Sequence, residues 1–205
     1  MDKVYEYGLC NFAACTSTSP GEGFFRERDA GVGGPFSLEW EWLDHTARFV
    51  VFFDWFDTIT RYSPLYRRGW VVQERLISPR TMHFSTFPFW ECHEMVTCEA
   101  YPSEIYAQKF QWLSLPEKGI TRDGESPEKT WLRIIEHYSN CDLTYARDKL
   151  IALCGVAKMF SPSIGGHYLA GLWSTNLLQG LLWQVKKHVS GSDVATERPL
   201  EYVGT

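Results

Sequence analysis

The densest chemistry in this chain lies in nine consecutive residues, Arg67-Arg68-Gly69-Trp70-Val71-Val72-Gln73-Glu74-Arg75. Three guanidinium groups, a carboxylate, a carboxamide and an indole fall within about two and a half turns of an expected helix. Such a set can do chemistry. A glutamate held by arginines can stabilise developing positive charge, a glutamine can hydrogen-bond a polar ligand, and a tryptophan can stack on a ring. The plainer reading is a solvated helix face, on which pairs three or four residues apart contribute about 0.2–0.5 kcal/mol each. Spacing alone favours the plainer one.

Other chemistry-bearing residues group less well. Cys92, His93 and Cys98 are metal-capable and close in sequence. A zinc site needs four ligands, usually two tight pairs, and the spacings Cys10/Cys15 and Cys92/Cys98 are too wide, so no metal is expected. A thiolate nucleophile at Cys92 would need a base that the sequence does not identify. The histidines (His45, His83, His93, His137, His167 and His188) form no ligand pattern and read as ordinary core or surface residues. Gly31-Val-Gly-Gly-Pro35 could cradle phosphate only between a strand and a helix N-terminus; without a following helical pattern it reads as a plain loop. No resident cofactor is expected.

These residues need elements to hold them. A short helix is expected at the start, then a buried strand over Asn11-Phe-Ala-Ala-Cys-Thr-Ser and a loop at Ser19-Pro-Gly-Glu-Gly. Phe49-Val-Val-Phe-Phe signals a strand within Thr46–Trp55. Ser63-Pro64 reads as N-cap and first position of a helix running to Ile77 and stopped by Ser78-Pro79. On it, Tyr66, Trp70, Gln73 and Ile77 share one face, and Arg67 and Glu74 another. Two neighbouring strands follow, Arg80–Ser85, with Met82 and Phe84 on one side, and Phe89–His93. Ser126-Pro127 starts a helix with its core stripe at Trp131, Ile134, Ile135 and Tyr138. Another helix is expected from Thr144, with Ala146, Leu150, Leu153, Cys154 and Ala157 inward and Pro162 beyond its end. A third spans about Leu169 to Lys187, with Leu178, Leu181, Leu182 and Val185 at helical spacing, and residues from Gly191 read as a loose tail.

The 205 residues are 44% hydrophobic and 22% charged, so global disorder and a fibrous repeat are excluded. Nine Trp, ten Tyr and thirteen Phe make an aromatic share of 16%, which needs a substantial core or an interface. The net charge of −5, without any basic block, argues against a nucleic-acid partner. The acidic start lacks a secretory signal, and six scattered cysteines suit reduced thiols, so a cytoplasmic protein is expected. Met159–Val185 carries no Asp, Glu, Lys or Arg, but Pro162, Gly165, Gly166, His167, Asn176 and Gln179 interrupt it, so no membrane span is expected.

The run Arg68-Gly-Trp-Val-Val-Gln-Glu-Arg-Leu-Ile-Ser-Pro-Arg-Thr-Met-His-Phe84, followed by Phe89-Trp90-Glu91-Cys92 and Glu99-Ala-Tyr-Pro102, closely resembles the third signature block of the fungal heterokaryon-incompatibility (HET) domain. Leu143-Thr-Tyr-Ala-Arg-Asp-Lys-Leu-Ile-Ala-Leu-Cys-Gly-Val-Ala157, Tyr168-Leu-Ala-Gly-Leu-Trp173 and Leu181-Leu-Trp183 resemble later stretches of that family. At the N-terminus, Val4-Tyr5, Ala13-Ala14 and Gly23-Phe24-Phe25 resemble its middle.

The family's two upstream blocks, one around Leu-Ser-Tyr-x-Trp-Gly and one with Trp-x-Asp, do not occur, so the chain is expected to begin inside the domain. A domain without those strands is also expected to leave edges and apolar faces exposed. The implied organisation is the later part of a HET-like core over residues 1–115, a helical continuation over 116–190 and a tail over 191–205.

The resemblance implies a mixed α/β fold, with the remnant of a central sheet, flanking helices and a mainly helical C-terminal half. It implies a cytoplasmic module of non-self recognition and programmed cell death that acts through contacts with other signalling proteins or by self-association. The family is considered distantly related to TIR domains, some of which cleave the nicotinamide–ribose bond of NAD through a glutamate. That likeness implies Glu74 as the catalytic candidate and NAD as a substrate. Arg68, Trp70, Gln73, Arg75, Arg80, Trp90 and Glu91 are the accompanying motif residues.

Overall fold

The computed structural model describes residues 2–25, 27, 36–42, 45–51, 62–99 and 125–182. The fold is mixed α and β. A four-stranded sheet is built from β1 (Asn11–Ala14), β4 (Arg80–Phe84), β5 (Phe89–Cys92) and β6 (Val96–Cys98), in that spatial order. β1 and β4 run parallel, whereas β4, β5 and β6 are antiparallel neighbours. A parallel pair needs a crossover, and the helix α2 (Gly69–Ile77) lies on that path just before β4. β2 (Phe36–Trp42) and β3 (His45–Val51) form a separate antiparallel hairpin in which Glu39 and Arg48 stand opposite each other and pair at 3.1 Å. The sequence signalled only the second of these two strands.

α2 begins later than the sequence suggests. Ser63 does not cap it: its hydroxyl accepts from the Leu65 N–H (3.2 Å) and donates to the Cys15 carbonyl (2.6 Å), which closes a turn over Pro64–Arg67. Arg68 is extended (φ −85°, ψ 123°) and bridges Asp142, whose carbonyl takes the Gly69 N–H at 2.8 Å. An extended residue cannot continue a helix, so helical geometry starts at Gly69. A Cβ on Gly69 would stand 2.8 Å from Leu143 Cδ2, so any other residue there must displace the Leu143 side chain. The expected stop holds, with Ser78 as C-cap. Tyr66 therefore lies off the helix and packs with Ala13, Cys15 and Val71, not on the Trp70/Ile77 side. Arg67, also off the helix, pairs with Asp142 at 3.3 Å instead of sharing a face with Glu74.

α3 (Pro127–Ser139) starts where Ser126 accepts the Lys129 N–H, and Trp131, Ile134 and Tyr138 are buried along its stripe as the spacing predicts. The next helix, α4 (Ile151–Ile164), begins after a 3-10 turn at Ala146–Asp148. Its inward residues are Ala152, Leu153, Val156, Ala157 and Phe160, while Ala146, Leu150 and Cys154 are exposed and Pro162 lies inside the last turn. The misread start shifted the expected stripe. The expected long helix over Leu169–Lys187 is not formed in its described part. Ala170 (φ 51°) and Gly171 (φ 103°) turn a two-residue hairpin between β7 (Tyr168–Leu169) and β8 (Leu172–Trp173). A 3-10 turn and the short α5 (Leu177–Gly180) follow, and Leu178, Leu181 and Leu182 face solvent.

The main core joins Val72 and Leu76 of α2 to Trp131, Ile134, Tyr138, Leu153, Val156, Phe160 and Trp173. Trp131 stacks edge-on against Trp173 (5.5 Å) and Tyr168 (5.8 Å), and its Nε1 donates to the Gly171 carbonyl. Among the described residues, no helix is long and apolar enough to cross a membrane. The loop at Gly31–Pro35, the part of the expected strand beyond Val51, Pro102, Val185, the tail and the boundaries at 115/116 and 190/191 lie outside the described residues.

Candidate functional site

α2 lies between the sheet and the helical core, and its side chains divide between the two. Val71 and Arg75, four apart, share the sheet side. Below them, the inward register of the strands brings together Cys15, just past β1, Thr81 and His83 of β4, and Phe89 and Glu91 of β5, all buried. Arg75 meets Glu91 in a two-point ion pair, Nε to Oε2 at 2.9 Å and Nη2 to Oε1, with exposures of only 4% and 1%. Glu91 Oε2 also lies 3.0 Å from His83 Nε2. His83 Nδ1 in turn is hydrogen-bonded to the Tyr66 hydroxyl, which lies 3.8 Å from Cys15 Sγ.

The result is a five-residue polar chain beneath α2. Burial pushes the Cys15 thiol up to about 12; the Tyr66 hydrogen bond and the Arg75 charge pull the other way and do not offset it. Burial also holds the Tyr66 phenol well above its usual value, with Cys15 as the next cause. Cys15 is thus a protonated thiol with no solvent access, not a nucleophile.

The helical side carries Gln73. Its Oε1 accepts the Gly155 N–H at 2.9 Å, and a Cβ on Gly155 would sit 2.6–2.9 Å from Ile77 and Gln73 atoms. Gln73 is therefore a clamp between α2 and α4, not a ligand-facing amide. Trp70 is half-buried and packs against the helical core.

Glu74 is half-buried and faces α1 (Asp2–Glu6). Tyr5 of α1 meets it: burial raises the Tyr5 phenol, the Glu74 charge and hydrogen bond add to that, and Arg68 opposes it. Glu74 is not held by Arg75, as adjacency in sequence suggested, because consecutive helix residues point about 100° apart. Arg68 is exposed, Arg80 is exposed at the start of β4, and Trp90 is half-buried on the opposite sheet face from Glu91. The structure therefore gathers Arg75 and Glu91, sets Glu74 against Tyr5 on another side, and leaves Arg68, Gln73, Trp70, Arg80 and Trp90 in separate surroundings.

From the sequence, Cys15 reads as a widely spaced thiol, Tyr66 as part of a helix face and His83 as an ordinary histidine, and none of them as joined to this site. The alternation of Arg80–Phe84 placed His83 opposite Met82 and Phe84 and could have marked it as buried. Nothing local could pair β1 with a strand some seventy residues away. The cysteines are all free, and among the described residues no group of metal-capable side chains is gathered. No family model, curated protein or solved structure matches the chain.

Proposed function

We propose that the chain is a HET-type module of fungal non-self recognition and cell-death signalling that works through protein contacts in the cytoplasm. The observation that carries this reading is an aromatic cluster left in solvent on the outer sheet face. Phe12 is 62% exposed and Phe25 85%, and with Phe24 they surround Phe84 at centroid distances of 5.0–5.8 Å. Contiguous exposed apolar surface of this kind marks contact sites. The signature residues beneath support it differently: Gln73, Arg75 and Glu91 are occupied in holding α2, as expected of a scaffold that presents surfaces. The net charge of −5 supports partners other than nucleic acid.

The test is expression in a fungal host. The chain should arrest growth, and Phe12→Ser with Phe25→Ser should abolish arrest without changing the unfolding midpoint. Arrest that survives both substitutions sinks the assignment of this surface. A chain that leaves growth untouched sinks the signalling reading.

A second reading is a TIR-like NAD-cleaving enzyme. It is favoured by Glu74, whose carboxylate lies outside the buried ion pair and meets the Tyr5 phenol. A carboxylate there could stabilise an oxocarbenium-like ribosyl centre. The parallel β1/β4 pair crossed by α2 supports an α/β core of that kind. Purified protein incubated with NAD should release nicotinamide, and Glu74→Ala should stop it. No release, even at high protein concentration, removes the reading, and release by the variant removes Glu74.

A further inference from the structure

The hydrogen-bond chain under α2 has a direction for each protonation state of His83. Arg75 gives two N–H groups to Glu91, so Glu91 is an ionised carboxylate that accepts from every partner. His83 Nε2, 3.0 Å from Oε2, must then carry a proton. A neutral imidazole protonated at Nε2 leaves Nδ1 as an acceptor, so the Tyr66 O–H donates to it. The Tyr66 oxygen is in turn open to the Cys15 S–H at 3.8 Å. All these donors point toward Glu91, and Tyr66, at 5%, is the most exposed residue in the chain.

A second proton on His83 contradicts that order. Imidazole is the group here whose ordinary titration falls between pH 5 and 8. Protonated Nδ1 becomes a donor aimed at the Tyr66 oxygen, so the Tyr66 O–H must turn away from it. Within the chain it can turn to Cys15 Sγ, whose S–H has the Ala13 carbonyl at 3.5 Å. A strong O–H···N bond is thereby exchanged for a weak one to sulfur. The charged groups facing His83 are Glu91 from β5, which favours the added proton, and Arg75 from α2, which opposes it. Tyr66 from the turn and Cys15 beside β1 also face it.

We propose that this chain is a proton-operated latch: protonation of His83 reverses the hydrogen bonds through Tyr66 and Cys15 and loosens the Pro64–Arg67 turn from β1. That turn leads directly into the signature helix and is tied to Cys15 a second time, through Ser63. The latch is independent of either reading of the function.

Nitrogen NMR of the histidine rings in the full chain tests the direction. At about pH 7.5, His83 should show Nε2 protonated and Nδ1 bare. On acidification, Nδ1 should gain its proton while exchange of the Leu65 amide, corrected for its intrinsic rate, rises about tenfold, as loss of one buried hydrogen bond implies. His83→Gln keeps one donor and one acceptor but does not titrate, and should make Leu65 exchange roughly independent of pH. If that variant does not fold, the wild-type ring and amide signals decide alone. A proton on Nδ1 at about pH 7.5, or Leu65 exchange that ignores the His83 titration, overturns the latch.

Discussion

The two sides of α2 are held by opposite physics. Toward the sheet, contact is largely polar: Arg75, Glu91, His83, Tyr66 and Cys15 form one bonded chain, beside which Val71 packs on Ala13 and Tyr66. Toward the helices, it is apolar: Val72 and Leu76 pack on Trp131, Val156 and Phe160, with Gln73 as one polar clamp. Apolar burial stabilises in proportion to area and tolerates small shifts. A buried ionic chain contributes little net energy against a well-packed apolar replacement, but it punishes any missing member. The sheet side therefore specifies how α2 sits, and the helical side supplies most of the stability.

The largest expected effect comes from breaking the ionic side at one point. Glu91→Ala strands Arg75 in a site it cannot leave and should lower unfolding free energy by about 3–5 kcal/mol in chemical denaturation. Trp131→Ala should cost a similar amount, by cavity formation. The comparison sharpens in the double variant Arg75→Met with Glu91→Leu. Removing both charges should recover most of the loss, whereas no second truncation rescues Trp131→Ala. A double variant as unstable as Glu91→Ala would show that the pair is a net source of stability and erase the contrast.

How much of this was readable in sequence follows the same division. The apolar side was largely legible: the Ser126-Pro127 start, the stripe through Trp131, Ile134 and Tyr138, and the stop at Ser78-Pro79 are local signals, and each element formed where they pointed. Illegible were contacts set by distant partners. Ser63-Pro64 has the composition of a helix start, but Cys15 and Asp142 claim the groups on either side of the turn. Leu178, Leu181 and Leu182 have helical spacing, yet the Ala170-Gly171 hairpin redirects the chain before them. Arg75 and Glu91 are expected from the sequence as motif residues accompanying Glu74, not as partners of each other. Their pairing needs β4 and β5 in register, and the joining of Cys15 to His83 needs the parallel β1/β4 pair.

A pH series probes the border between the two sides. Burial, followed by the nearby Arg75 charge, lowers His137 to about 4. The unfolded chain takes up this proton below about pH 6.5 and the folded chain does not. The contribution of His137 is thus fully present above that pH and is lost progressively as pH falls toward 4. Between about pH 7.5 and 5, its share of the loss should reach roughly 1–2 kcal/mol, allowing for partial exposure. His137→Gln should remove that share of the slope. A slope that the variant leaves unchanged would assign the acid sensitivity to the sheet side alone.

Gly155→Ala tests how closely the helical side is fitted. The new methyl group must displace Ile77 Cδ1 and Gln73 Oε1 from under 3 Å, and overpacking of this kind costs about 1–3 kcal/mol. Combining it with Gln73→Ala should cost less than the sum of the two, because the clamp that the methyl group strikes is already gone. Additive losses would mean that α2 and α4 separate as rigid bodies and that Gln73 is not the point of contact.

The smallest effect should come from the surface, where α1 is tied to α4 by Asp2 and Lys158 at 2.8 Å. The hydrogen bond to Lys158 lowers the Asp2 carboxyl to about 2, which by itself suggests a strong tie. Solvent argues otherwise. Lys158 is 73% exposed, α1 buries no residue, and exposed ion pairs are screened and entropically costly to hold. Lys158→Ala should leave the unfolding midpoint where it is and only speed hydrogen exchange in α1. If the midpoint moved as far as it does for Gly155→Ala, α1 would be part of the cooperative core, and the division into an ionic side and an apolar side would need a third contact, through Tyr5 and Glu74.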